Sequence, residues 1–91
     1  MKGTIKKLVE TYGPSGREAR IREVIQGEVS GLGDEVRVDA LGNLIVLKKG
    51  SGEGHKIMLS AHMDEIGVVV SHVDEKGFLR FGPVGGVRTL T

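Results

Sequence analysis

Apolar residues recur at helical spacing only in the first third of the chain. Ile5, Leu8, Val9 and Tyr12 stand at i, i+3, i+4 and i+7, which puts them on one face of a helix. Gly13-Pro14 ends that pattern, because a proline disfavours helical backbone at the residue before it. Ser15-Gly16-Arg17-Glu18 has the spacing of a capping box: the Ser15 hydroxyl accepts from the Glu18 amide while the Glu18 carboxylate reaches back to the Ser15 amide. Ile21, Val24, Ile25, Val29 and Leu32 continue an apolar stripe, so a second helix is predicted over 16–30, stopped by Gly31 and Gly33. Both stripes read as core.

Beyond residue 33 the period changes to two. Val36 and Val38 alternate with charged residues, Leu41-Gly42-Asn43 supplies a turn, and Leu44-Ile45-Val46-Leu47 returns, which predicts a hairpin. Gly50-Ser51-Gly52-Glu53-Gly54 is a flexible connector. Ile57-Met58-Leu59-Ser60-Ala61 is apolar at successive positions, the pattern of a strand in a sheet's interior with both faces covered. A second strand begins at Val68-Val69-Val70, Asp74-Glu75-Lys76-Gly77 turns the chain, and Phe78-Leu79-Arg80-Phe81 returns. The two helices cover one face of the early sheet and nothing covers the other. Val84-Gly85-Gly86-Val87-Arg88-Thr89-Leu90-Thr91 adds no closing element, so the predicted α/β architecture is unfinished.

Composition narrows the classes without choosing a function. With 38% hydrophobic and 27% charged residues and no low-complexity tract, the 91-residue chain reads as globular. A net charge of +1 gives no electrostatic reason to expect nucleic acid or an acidic membrane as partner. The absence of cysteine excludes disulfides and thiolate metal sites. No apolar run approaches the roughly 20 residues of a membrane helix, and Met1-Lys2-Gly3-Thr4 leads straight into the first amphipathic pattern. A cytoplasmic location is the expectation.

Candidate chemistry gathers in Ser60-Ala61-His62-Met63-Asp64-Glu65-Ile66-Gly67. Following a buried strand, His62 is expected at that strand's C-terminal edge, where open α/β sheets place ligands. Side chains two apart on an extended chain point the same way, so Asp64 can sit beside it. A carboxylate that accepts the imidazole Nδ1 proton fixes the tautomer and leaves Nε2 free for a divalent cation. The same triplet also occurs as an ordinary surface or core-edge pair, and by itself it does not distinguish the two.

The wider pattern adds a resemblance. Residues 61–67, followed by Asp74-Glu75-Lys76-Gly77-Phe78-Leu79-Arg80, resemble the glutamyl-aminopeptidase family of co-catalytic metallopeptidases. That family includes the tetrahedral aminopeptidases and proteins often labelled cellulase or endoglucanase. Tyr12-Gly13-Pro14-Ser15-Gly16-Arg17-Glu18 and Val38-Asp39-Ala40-Leu41-Gly42-Asn43-Leu44-Ile45 resemble its opening helix junction and first hairpin, and the four motifs follow the family's order from about residue 6 to 87.

The resemblance implies the N-terminal part of a zinc-peptidase-like α/β/α sandwich over 1–67 and the start of an inserted β-rich domain over 68–91. It also implies that His62 binds one of two metal ions, zinc or cobalt, with Asp64 as its orienting catalytic partner. Such a pair activates water and releases the N-terminal residue of a peptide substrate. The family's remaining ligands and its general base lie downstream of residue 91, and its inserted domain serves oligomer contacts. A truncated, self-associating fragment without activity of its own is therefore expected, because one imidazole cannot supply the roughly three protein ligands that catalytic zinc needs.

Other residues read more plainly. His55 is an exposed connector residue, and His72 shares a strand face with Val68 and Val70, where it makes a cross-strand contact. Lys48-Lys49 is a solvated basic pair. Gly82-Pro83-Val84-Gly85-Gly86 is a bend, lacking the Gly-Lys-Ser/Thr ending of a phosphate loop. Glycoside hydrolysis needs two facing carboxyl groups about 5–9.5 Å apart, whereas Asp64 and Glu65 are neighbours that diverge. The competing readings are a non-catalytic interaction module, in which His62 is a relic that merely packs, or a fragment that needs a complementary polypeptide.

Overall fold

The computed structural model describes residues 1–88. The last three residues of the expected inserted domain, and of the open-ended tail, lie outside the described residues. Helix α1 covers Lys2–Val9, shorter than its apolar stripe, and Tyr12 lies beyond its end. Thr11 accounts for the early stop: its Oγ1 donates to the Lys7 carbonyl (2.6 Å) and its amide to the Leu8 carbonyl (3.3 Å). That side chain takes a helix-end acceptor and tightens the last turn.

Helix α2 covers Ala19–Val29 and begins later than predicted. No capping box forms. Glu18 is the N-cap without a side-chain cap, its Oε1 accepting instead from the Gly16 amide at 2.6 Å. The Ser15 hydroxyl is engaged elsewhere, with Asp64. Lys7 Nζ and Glu28 Oε1 tie the helices at 2.9 Å, an exposed pair worth about 0–1 kcal/mol.

Ile21 on α2, 4% exposed, is the one buried apolar side chain among the described residues. Gly13 makes that burial possible, since a Cβ there would stand 2.5 Å from Ile21 Cγ2. Gly13→Ala should therefore destabilise the helical region by about 1–3 kcal/mol through overpacking. Gly27→Ala, where the added methyl meets open space on α2, should instead stabilise by about 0.5–1 kcal/mol. Urea unfolding followed by circular dichroism checks both signs.

Strands β1 (Glu35–Val38) and β2 (Leu44–Leu47) form the predicted antiparallel hairpin, with Val36 opposite Val46 and Val38 opposite Leu44. Asp39 organises its turn: Oδ1 accepts from the amides of Leu41 (3.0 Å) and Asn43 (2.9 Å), and Oδ2 from Asn43 Nδ2 (2.9 Å). Gly42 at φ 88° supplies the left-handed residue. The Asn43 side-chain amide first, then the Asn43 backbone N–H, holds the Asp39 carboxyl below its usual 3.8. A depressed folded pKa contributes stability above the unfolded value that is lost as pH falls through the folded one. Hairpin amide shifts should therefore collapse on acidification below about pH 4, and Asp39→Asn should flatten that dependence in a pH series of heteronuclear NMR spectra.

Strands β3 (Gly67–Val73) and β4 (Leu79–Val84) form a second, separate antiparallel hairpin around Asp74, whose Oδ1 accepts from the Lys76 and Phe78 amides at 2.9 Å. Two expectations change here. Gly82-Pro83-Val84 belongs to β4 rather than to a bend, which Pro83 tolerates because β4 pairs on one side only. A bulge between Val70 and His72 shifts the alternation, so His72, opposite Arg80, shares a face with Val69 and not with Val68 and Val70.

The predicted central strand does not form. Residues 57–61 run outside both sheets, and Leu59 is 93% exposed. A segment apolar on successive positions needs strand neighbours on both edges and cover on both faces, yet each hairpin pairs only its own strands. The Cα radius of gyration is 17.9 Å, against about 12 Å for a compact domain of this length. The α/β class stands, in an open form.

Candidate metal-ligand site

His62 lies not at a strand edge but after the unpaired segment 57–61, just before the chain rejoins the helix junction. The rejoining is a parallel bridge between Pro14 and Glu65: the Glu65 amide donates to the Gly13 carbonyl (3.0 Å) and the Ser15 amide to the Glu65 carbonyl (3.2 Å). In a parallel bridge the flanking residues carry both bonds, so the missing N–H of Pro14 costs nothing there. This short tie holds residues 62–65 against the start of α2.

His62 Nδ1 stands 3.0 Å from Asp64 Oδ1 and 3.1 Å from the Asp64 backbone carbonyl oxygen. Both are acceptors, so Nδ1 carries the proton and Nε2 presents a lone pair. The imidazole is 86% exposed and Nε2 has no hydrogen-bond partner among the described residues. Asp64 is 37% exposed, and its second oxygen, Oδ2, accepts from the Ser15 hydroxyl at 2.5 Å. The Ser15 hydrogen bond first, and then that of His62, hold the Asp64 carboxyl below its usual 3.8.

An open depression adjoins the pair, walled by Glu18, Arg22, Asn43 and Met63. Arg22 Nε donates to the Gly42 carbonyl at 2.8 Å, pinning the β1–β2 turn to α2. Ser15 and Arg22 are the residues here that sequence reasoning missed. Ser15 gave a signal for a different job, the capping box, and its true partner is 49 residues away. Arg22 gave none, being one arginine on a polar helix face.

The other candidates stay apart. His55 is exposed in the connector. Glu65 contributes its backbone to the bridge, and its side chain makes no hydrogen bond among the described residues. Lys48 Nζ donates to the Leu32 carbonyl at 3.3 Å, a local tie rather than a free charge. Among the described residues no three His, Cys, Asp or Glu side chains converge as a metal cluster. The donor set therefore fits one ligand position, an imidazole with its carboxylate partner, and not a whole centre. No described helix is long and apolar enough to cross a membrane.

Comparison with known proteins gives a consistent result. The family model for M42 glutamyl aminopeptidase matches residues 42–91. A putative aminopeptidase of Acetivibrio thermocellus is 57% identical over 91% of this chain and 24% of its own length. The lysyl aminopeptidase of Pyrococcus furiosus is 45% identical over 91% of this chain and 24% of its own. Among solved structures, an aminopeptidase of the archaeon Desulfurococcus kamchatkensis superposes with a TM-score of 0.89 at 42% identity, over 94% of this chain and 24% of that one. The chain thus spans about a quarter of the length of the relatives it matches. With more than half of its residues inside the family model and the same tertiary arrangement in the solved relative, this chain belongs to the M42 glutamyl aminopeptidase family.

Proposed function

We propose that this chain contributes one metal ligand, His62, to a two-metal aminopeptidase centre that is completed by polypeptide outside the described residues. The observation that carries the reading is the engagement of His62 Nδ1 by Asp64, which leaves Nε2 as an exposed lone pair. Asp64 acts as orienting partner: it holds the ring's tautomer and raises the basicity of Nε2. The chemistry that a bound zinc or cobalt pair supplies is activation of a water and polarisation of the scissile carbonyl.

In this reading residues 1–67 belong to the catalytic domain, and the β3–β4 hairpin opens the inserted β-rich domain. The substrate is the N-terminal end of a peptide, and the isolated chain is inactive because it offers too few ligands. That the matched relatives carry the name aminopeptidase over four times this length supports the reaction class.

The test is a mixing experiment. The chain alone should take up no stoichiometric zinc in calorimetry and should release nothing from aminoacyl-p-nitroanilides. Mixed with a polypeptide spanning the rest of the Acetivibrio relative, it should gain both metal uptake and release. A mixed assembly that binds zinc and turns over equally well when residues 60–66 are deleted from this chain would remove His62 from the centre.

A further inference from the structure

We propose that Ser15 is a positioning residue for the His62–Asp64 pair, acting through its hydroxyl on the second oxygen of the Asp64 carboxylate; this rests on the reading of His62 as a ligand. The imidazole is mostly exposed, so no packing fixes its plane, and its orientation comes through Asp64. A carboxylate held at one oxygen only can rotate, exchange its oxygens or turn to water. Here both oxygens are committed, Oδ1 to His62 Nδ1 at 3.0 Å and Oδ2 to Ser15 Oγ at 2.5 Å. The second is a short, charge-assisted bond.

Backbone geometry delivers that hydroxyl. The Ser15 amide donates to the Glu65 carbonyl and the Glu65 amide to the Gly13 carbonyl, so Ser15 and Asp64 are clamped on adjacent strands of one bridge. Only the Ser15 χ1 torsion remains to be set, and the Asp64 carboxylate sets it. Helix α2 meanwhile starts without a side-chain cap. Its N-cap is Glu18, so Ser15 lies three residues upstream of that cap and its hydroxyl donates to the carboxylate.

The discriminating measurement is the imidazole tautomer in the metal-free chain, read from 15N NMR shifts of His62 at about pH 8.5, two units above the ordinary imidazole pKa of about 6.5. The wild type and Ser15→Thr, which keeps the hydroxyl, should hold the Nδ1–H form. Ser15→Ala and Ser15→Val should drift toward the Nε2–H form that an unconstrained histidine side chain prefers. In the zinc-loaded mixed assembly the same two variants should lose about tenfold in zinc affinity, the lower end of what an orienting partner contributes, with Thr restoring it.

An unchanged Nδ1–H fraction in a natively folded Ser15→Ala chain overturns the proposal. So does loss of the native amide spectrum in Ala and Val with Thr intact, because the hydroxyl is then a tie between segments and nothing more. Zinc that binds without perturbing His62, alongside the expected tautomer shift, sinks the ligand reading and leaves Ser15 as the imidazole's anchor. Zinc bound at His62 with no Ser15 effect does the reverse.

Discussion

In the mixed assembly, His62→Ala should abolish release of N-terminal residues, a larger loss than the roughly 10–100-fold expected for Asp64→Ala. The ranking follows from the bonds each residue makes. His62 offers the lone pair itself, and without it one ion has one ligand fewer, where catalytic zinc needs about three from the protein. The Asp64 carboxylate touches only Nδ1 and Ser15, so its removal leaves Nε2 present and the ring held by the residue-64 backbone carbonyl alone, at 3.1 Å from Nδ1. Zinc content by elemental analysis should track the rates, with about one equivalent lost in His62→Ala. Equal losses in the two variants would mean that Asp64 binds metal directly. Full zinc content and full rate in His62→Ala would end the assignment.

The isolated chain should also associate with rising concentration. It exposes 8360 Å², against about 5100 Å² for a compact monomer of 9.7 kDa. The excess is several times the roughly 800 Å² that each partner buries in a typical stable interface. Much of it is apolar: Val68, Val70, Phe81 and Leu79 lie exposed on the β3–β4 hairpin, and Ile57, Met58 and Leu59 lie on the unpaired segment. A two-stranded hairpin is marginal by itself, and its outer edges carry unpaired amides and carbonyls. Sedimentation velocity across a dilution series should show mass rising with concentration, and Val70→Lys should suppress it. A compact monomer at every concentration would refute this expectation.

Local signals in the sequence sufficed wherever short-range chemistry closes the structure. Val36, Val38 and 44–47 alternate around a turn that Asp39 and Gly42 can complete alone, so the β1–β2 hairpin was legible. Asp74 and Gly77 do the same for β3–β4. The His62–Asp64 contact was legible for the same reason, since one residue separates the partners. Resemblance over four short motifs was enough to reach the family.

What failed did so where the partner lies far along the chain. Ser15 and Glu18 have a capping box's spacing, but α2 starts only at Ala19 with Glu18 as its N-cap, and the Ser15 hydroxyl donates to the Asp64 carboxylate, 49 residues on. Alternation could not reveal the bulge that moved His72, because the extra residue is defined only against β4. Residues 57–61 carry the pattern of a buried strand but lack neighbours among the described residues. By itself the sequence determined the helices, the two turns, the family and the imidazole with its carboxylate. Tertiary structure alone decided which acceptor Ser15 serves, which face His72 shares and whether the apolar segment pairs, because each turns on a contact that no local spacing encodes.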